Sequence, residues 1–201
     1  MVTMRDDLKI WEDFQKGKDA ALSEIYHDHI DFLYNYGKKF TKDENMVLDA
    51  IHDVFFELIK KRTRLGVTSN IRLYLLTALR RKLLRILEQN RKLGLVDTEI
   101  NDAVPEITFS IEEQIIEKEE TQQKVELLKK AIKDLNNQQR EILYYKYTCG
   151  FDYSEICEIM SVSYGTARQL VSRTIKQLKK SLPSGVLAFF IICLLNKSKK
   201  S

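Results

Sequence analysis

Arg168, Gln169, Ser172 and Lys176 bring guanidinium, amide, hydroxyl and ammonium groups to one helical face, with Tyr164, Thr166 and Arg173 at its edges. Arg and Gln can each make paired hydrogen bonds to base edges in a DNA major groove, while Lys suits phosphate oxygens. Across the same helix Ala167, Val171, Thr174 and Leu178 follow i, i+4, i+7, i+11, a stripe of small and branched side chains fit for burial. Ser163 is the N-cap candidate, and the helix is expected to run to about Ser181. Just upstream, Asp152 and Glu155 make a capping-box-like pair that opens a short helix, which Ser161-Val162-Ser163 interrupts. A short helix, a tight turn and a longer helix with Arg, Gln and Ser in its first half is the layout of a helix-turn-helix. The second helix of that motif fits a major groove about 12 Å wide. The plainer reading is an antiparallel helical hairpin with a solvated basic face.

A second constellation lies in the first half of the chain. Asp49, Asp53 and Glu57 stand at four-residue steps on the outer face of a helix whose inward side carries Val47, Ala50, Ile51, Val54, Phe55 and Leu58. Like charges stacked this way mildly destabilise a helix. They are either a solvated face or a strip that meets a basic partner. A polar, basic loop follows, with Lys60, Lys61, Arg62 and Arg64 before Gly66 and Asn70. Asn70 can cap a helix from 71 to about 87, whose polar part holds Arg72, Arg80, Arg81, Lys82 and Arg85, with Tyr74 at its edge. An acidic helix followed by a basic loop and helix gives two faces of opposite sign, the second suited to a phosphate backbone.

The elements that must position these groups are helical. Seven Gly and two Pro in 201 residues are too few for the many turns of an all-β fold. The expected class is all-α, with two small helical domains at 1–90 and 112–182, an acidic linker at 91–111 and an apolar tail at 183–201. A short leading helix is expected around Leu8, Trp11 and Phe14. After a break at Gly17, Asp19 can cap a second, amphipathic helix through Leu22, Ile25, Tyr26, His29, Phe32, Leu33 and Tyr36, ending near Phe40. Ile115, Ile116, Val125, Leu128, Ala131, Ile132 and Leu135 are burial candidates in the second domain, and Asn136 with Gln139 makes a further cap before Ile142, Leu143 and Tyr147.

The net charge of +4 conceals a strong partition: +2 over residues 1–90, −6 over 91–120 and +8 over 121–201. The footprint for nucleic acid therefore sits toward the C-terminal end. Three cysteines, Cys149, Cys157 and Cys193, are odd in number and lack a CxxC, which speaks against a disulfide framework or zinc site and for a reducing cytoplasm. The opening MVTMRDDLKIWE lacks a basic-then-apolar export pattern. The tail GVLAFFIICLL would span roughly 16 Å as a helix, short of a roughly 30 Å hydrocarbon core. Packing or capture by a partner is expected of it ahead of membrane contact.

With both halves described, the chain resembles a bacterial RNA polymerase sigma factor of the extracytoplasmic-function group of the sigma-70 family. DAIHDVFFELIKK, residues 49–61, resembles the core-polymerase helix of region two, and residues 152–180 resemble the helix-turn-helix of region four. The resemblance implies that Asp49, His52, Asp53 and Glu57 dock on core RNA polymerase, with His52 standing where the family more often has Gln. It assigns Arg62, Arg64, Asn70, Arg72, Tyr74, Arg80 and Arg81 to the melted minus-10 strand, with an unstacked base captured in the loop 62–70. Base flipping costs a few kcal/mol, so capture must combine stacking with backbone charge. It assigns Ser163, Tyr164, Thr166, Arg168, Gln169, Ser172, Arg173 and Lys176 to the minus-35 element. Leu170 and Ile175, at positions often polar in relatives, are expected to meet the tail or another protein. Promoter DNA and an anti-sigma protein are the further partners implied, and no cofactor.

Two other classes compete. A stand-alone helix-turn-helix regulator would need a dimer interface to set two reading helices one DNA turn apart, and no sustained heptad seam is visible. A membrane-associated interaction protein would act through residues 185–195. An enzyme is not expected, since the sequence shows no phosphate-cradling Gly loop, no metal-ligand spacing and no nucleophile beside a base.

Overall fold

The computed structural model describes residues 6–94 and 119–186, and every regular element among them is helical. Residues 95–111 of the expected linker, Ile115 and Ile116, and the tail beyond Val186 lie outside the described residues, as does the side chain of Val125, while the linker's first residues, Arg91 and Lys92, close the helix Ile71–Lys92. The chain divides into two compact units, Met1–Ala103 and Val104–Ser201.

In the first unit, α1 (Asp7–Gln15), α2 (Asp19–Gly37), α3 (Glu44–Lys61) and α4 (Ile71–Lys92) pack about one core, with a 3-10 turn at Arg62–Arg64. Trp11, Ile25, Leu33, Tyr36, Ile51, Leu58, Leu75, Leu76 and Leu79 are essentially inaccessible to solvent. Three starts and stops differ from expectation. Asp19 is the first residue of α2 rather than its cap, which is Lys18 with no side-chain bond. A lysine ammonium has no acceptor with which to cap a helix, and that of Lys18 instead pairs with Asp13 at 2.9 Å across the turn at Gly17. Helix α2 ends at Gly37 instead of Phe40, and α4 continues to Lys92, past 87. Lys92 meets Glu88 one turn earlier at 2.8 Å, an exposed pair that suits the added turn.

Gly37, the last residue of α2, packs tightly against α3. A Cβ there would collide with Cγ1 of Val47, itself fully buried. Gly37→Ala is therefore expected to destabilise the first unit by at least about 1 kcal/mol, since a packed core yields poorly to an inserted methyl. Adding Val47→Ala to that background should recover part of the loss, and a double-mutant cycle by thermal unfolding would register the coupling.

The second unit holds α5 (Glu119–Lys133), α6 (Asn137–Leu143), a π-helical turn at Tyr144–Thr148, α7 (Tyr153–Met160) and α8 (Tyr164–Ser181). Helix α8 packs against α5, α6 and α7. One cluster joins Leu128, Ala131, Ile132 and Leu135 to Leu143, Leu178, Leu182 and Val186, with Tyr147 and Ile175 half-buried against it. The expected caps form. Asn136 and Gln139 make a reciprocal capping box, and so do Asp152 and Glu155. The π-helical turn has no period-3.6 signature in the sequence. It carries Tyr145 inward, where its hydroxyl donates to the Glu141 carboxylate at 2.7 Å, both side chains being wholly buried.

Candidate nucleic-acid interface and acidic docking face

Helix α8 sorts its residues as the periodicity demanded. Ala167, Val171, Thr174 and Leu178 are buried, while Ser163, Tyr164, Thr166, Arg168, Gln169, Ser172, Arg173 and Lys176 are all exposed. Ser163 Oγ accepts the Thr166 backbone N–H at 3.2 Å and lies 2.8 Å from the Thr166 hydroxyl, fixing the helix start. Ahead of it Ser161 adopts a left-handed conformation, φ +56, which turns the chain sharply between α7 and α8. Tyr164 on α8 stacks edge-on against Tyr153 on α7, centroids 5.6 Å apart, and Lys146 Nζ stands 4.8 Å from the Tyr153 ring. The outcome is a rigid two-helix corner that presents one polar helical face. Ile175, expected to meet the tail or another protein, packs against the cluster below, which includes Val186 from the start of that tail.

The corner is held by its cap. Ser154 Oγ and the Glu155 N–H donate to Asp152 Oδ1 at 2.6 and 2.8 Å. These bonds, the Ser154 hydroxyl foremost, hold the Asp152 carboxyl below its ordinary value of 3.8. A carboxyl depressed by folding stabilises the folded form fully above that ordinary value and loses the contribution as pH falls through it toward the lower folded value. Asp152→Asn should thus lower the unfolding midpoint near pH 7, and the gap between the two proteins should shrink from about pH 5 to about pH 3. Paired thermal scans check this.

On α3, Asp49, His52, Asp53 and Glu57 are all exposed. The repulsion expected between their carboxylates is relieved by cations: Lys82 of α4 lies 2.6 Å from Asp53, and Lys61 lies 2.6 Å from Glu57. Hydrogen bonding to Lys61 also holds the Glu57 carboxyl below its ordinary range. Sequence reasoning passed over Phe56, which stands on this face 63% exposed, with Leu48 and Ile59 also open to solvent. Leu48, His52, Phe56 and Ile59 recur at i, i+4, i+8 and i+11, a signal that was present but masked by the more conspicuous inward stripe.

The residues assigned to the minus-10 strand do not share one environment. Arg62, Arg64 and Arg81 are exposed. Asn70 Oδ1 is engaged in capping α4, accepting the Leu73 N–H at 2.9 Å. The Arg72 guanidinium lies over the Phe32 ring, 3.9 Å from its centroid. Tyr74 is half-buried with its ring 5.0 Å from that of Trp11, and burial pushes its hydroxyl above the ordinary tyrosine range. Arg80 is 9% exposed and belongs to the interior edge of α4. Arg62, Arg64 and Arg81 therefore form the accessible charge of this set.

An all-helical chain with a helix-turn-helix corner, its polar reading face outward and its cap closed, belongs among DNA-binding regulatory proteins. Residues 25–93 match the family model described as sigma-70 region 2, and residues 126–178 match that described as sigma-70, region 4. Together the two take in more than half of the chain, which belongs to the sigma-70 family: it is a sigma factor, directing transcription initiation, with core RNA polymerase and promoter DNA as its partners. In fold it is similar to CnrH as seen in complex with the cytosolic domain of CnrY, at 14% sequence identity and a TM-score of 0.57. That match covers 88% of this chain and 96% of CnrH. No curated protein matches it in sequence. Among the described residues, no helix is long and apolar enough to cross a membrane.

Proposed function

We propose that the chain is an extracytoplasmic-function sigma factor that works in the cytoplasm, without catalytic chemistry of its own. The face Asp49, His52, Asp53, Phe56 and Glu57 docks on core polymerase. The loop 62–70 and the exposed arginines of α4 take the melted minus-10 strand, and α8 reads the minus-35 element from Ser163 to Lys176. The observation that carries this reading is the sorting of α8, where every residue assigned to the minus-35 element is exposed and every residue of the expected stripe is buried. CnrH, similar in fold, was solved with the cytosolic domain of CnrY, and by analogy an anti-sigma protein is proposed as a partner here.

Reconstituted run-off transcription tests the assignment. Core polymerase supplied with this chain should initiate at a discrete set of genomic fragments that core alone ignores. Footprinting should show protection at both minus-35 and minus-10 only when core is present. Two symmetric protected half-sites on DNA with the free chain would replace this reading with that of a dimeric regulator.

A further inference from the structure

Helix α1 lies ahead of the residues that match sigma-70 region 2, which begin at residue 25, yet it touches the base-capture loop at every turn. The Trp11 indole Nε1–H donates to the Gly66 carbonyl at 2.9 Å. One turn on, the Gln15 side-chain amide donates to the Leu65 carbonyl at 2.7 Å. One turn earlier, Asp7 Oδ2 accepts the Ile71 N–H at 2.9 Å, at the first residue of α4. Gly17, at φ +84, leaves room for the Arg62 guanidinium, whose central carbon would lie 3.4 Å from a Cβ placed there. Trp11 itself is fully buried and its ring meets Tyr74.

These contacts join residues 50 to 64 positions apart in the chain and hold both ends of the loop. Within the loop, Thr68 Oγ1 accepts the Asn70 N–H at 3.2 Å, which sets the approach to α4. Between the held carbonyl of Gly66 and Thr68 stands Val67, 72% exposed, an apolar side chain left facing solvent.

Resting on the minus-10 reading above, we infer that α1 is a clamp that sets the shape of the loop 65–71 before DNA arrives, with Trp11 and Gln15 as positioning residues for capture of the unstacked base. A loop fixed in advance does not lose its conformational freedom on binding, so the cost of ordering is met during folding instead of subtracting from strand affinity. The two side-chain donors act through the loop backbone and need not touch the DNA.

The test uses full-length chain assembled with core polymerase. A pool of single-stranded deoxyoligonucleotides with a randomised six-base segment is selected with the wild-type holoenzyme, and one selected strand becomes the probe. Trp11→Phe keeps an aromatic ring but removes the N–H, and Gln15→Met keeps length but removes the amide. Each is expected to weaken strand binding roughly two- to tenfold, the scale of one neutral hydrogen bond, with core affinity unchanged. Trp11 is the chain's one tryptophan, so in the Gln15→Met protein its blue-shifted emission reports that α1 stays docked. Unchanged strand affinity in both variants overturns the inference, as does an equal loss of core affinity, which would mark α1 as general scaffolding. If the wild-type holoenzyme selects no strand sequence at all, the minus-10 reading itself fails and the clamp falls with it.

Discussion

Phe56→Ala is expected to reduce the affinity of the chain for core polymerase by about ten- to a hundredfold while leaving its fold intact. The side chain is 63% exposed in the free chain, so little of the folded core depends on it. Burying a Phe at an interface contributes about 1.5–3 kcal/mol, and large aromatics at the centre of an interface dominate its energy. On the proposed docking, the neighbouring carboxylates Asp49, Asp53 and Glu57 would favour a basic partner and speed encounter more than they add affinity. Charge reversal at Asp53 should accordingly lower the association rate and its salt dependence, whereas Phe56→Ala should mainly raise the dissociation rate. Surface plasmon resonance against immobilised core separates the two. Equal behaviour of Phe56→Ala and wild type would remove α3 from the docking face.

Arg168→Ala is expected to cost about 1–3 kcal/mol at a single base pair of the minus-35 element, the scale of one bidentate guanidinium contact to a base edge. Arg168 projects from the exposed face of the first two turns of α8, directly after the buried Ala167. Its loss should relax sequence preference at one position. Lys176→Ala, two turns further along, should instead weaken binding alike on all sequences and lower the salt slope by about one. Core affinity should be untouched by either. Competition binding of holoenzyme to a minus-35 library distinguishes the two outcomes, and a uniform loss from Arg168→Ala would reassign that residue to the phosphate backbone.

The helices and their caps were readable because their signals are local. Asp43, Asn70, Asn136, Asp152 and Ser163 each accept the backbone N–H three residues on, as their types and spacing imply. The α8 stripe was readable for the same reason. On α4, Leu75 and Thr77 are buried beside Leu73, Leu76, Leu79 and Leu83 because the helix is contacted by both α2 and α3 and so has a wider interior face than one period suggests. Arg80 is drawn into that wider face, which is why a residue that the resemblance assigned to DNA is buried. The clamp by α1 was not readable. An indole and an amide reaching carbonyls 55 and 50 positions away leave no trace in residue type.

The bridge between Asp53 and Lys82 ties the helix proposed to meet the polymerase to the helix proposed to meet the promoter strand. On the proposed docking, a cationic group of the enzyme that claimed Asp53 would displace Lys82 from its carboxylate, so joining the machine would exchange one ion pair for another. The freed ammonium would then stand on α4 as one uncompensated positive charge while the strand is held, and would pair again with Asp53 when sigma departs.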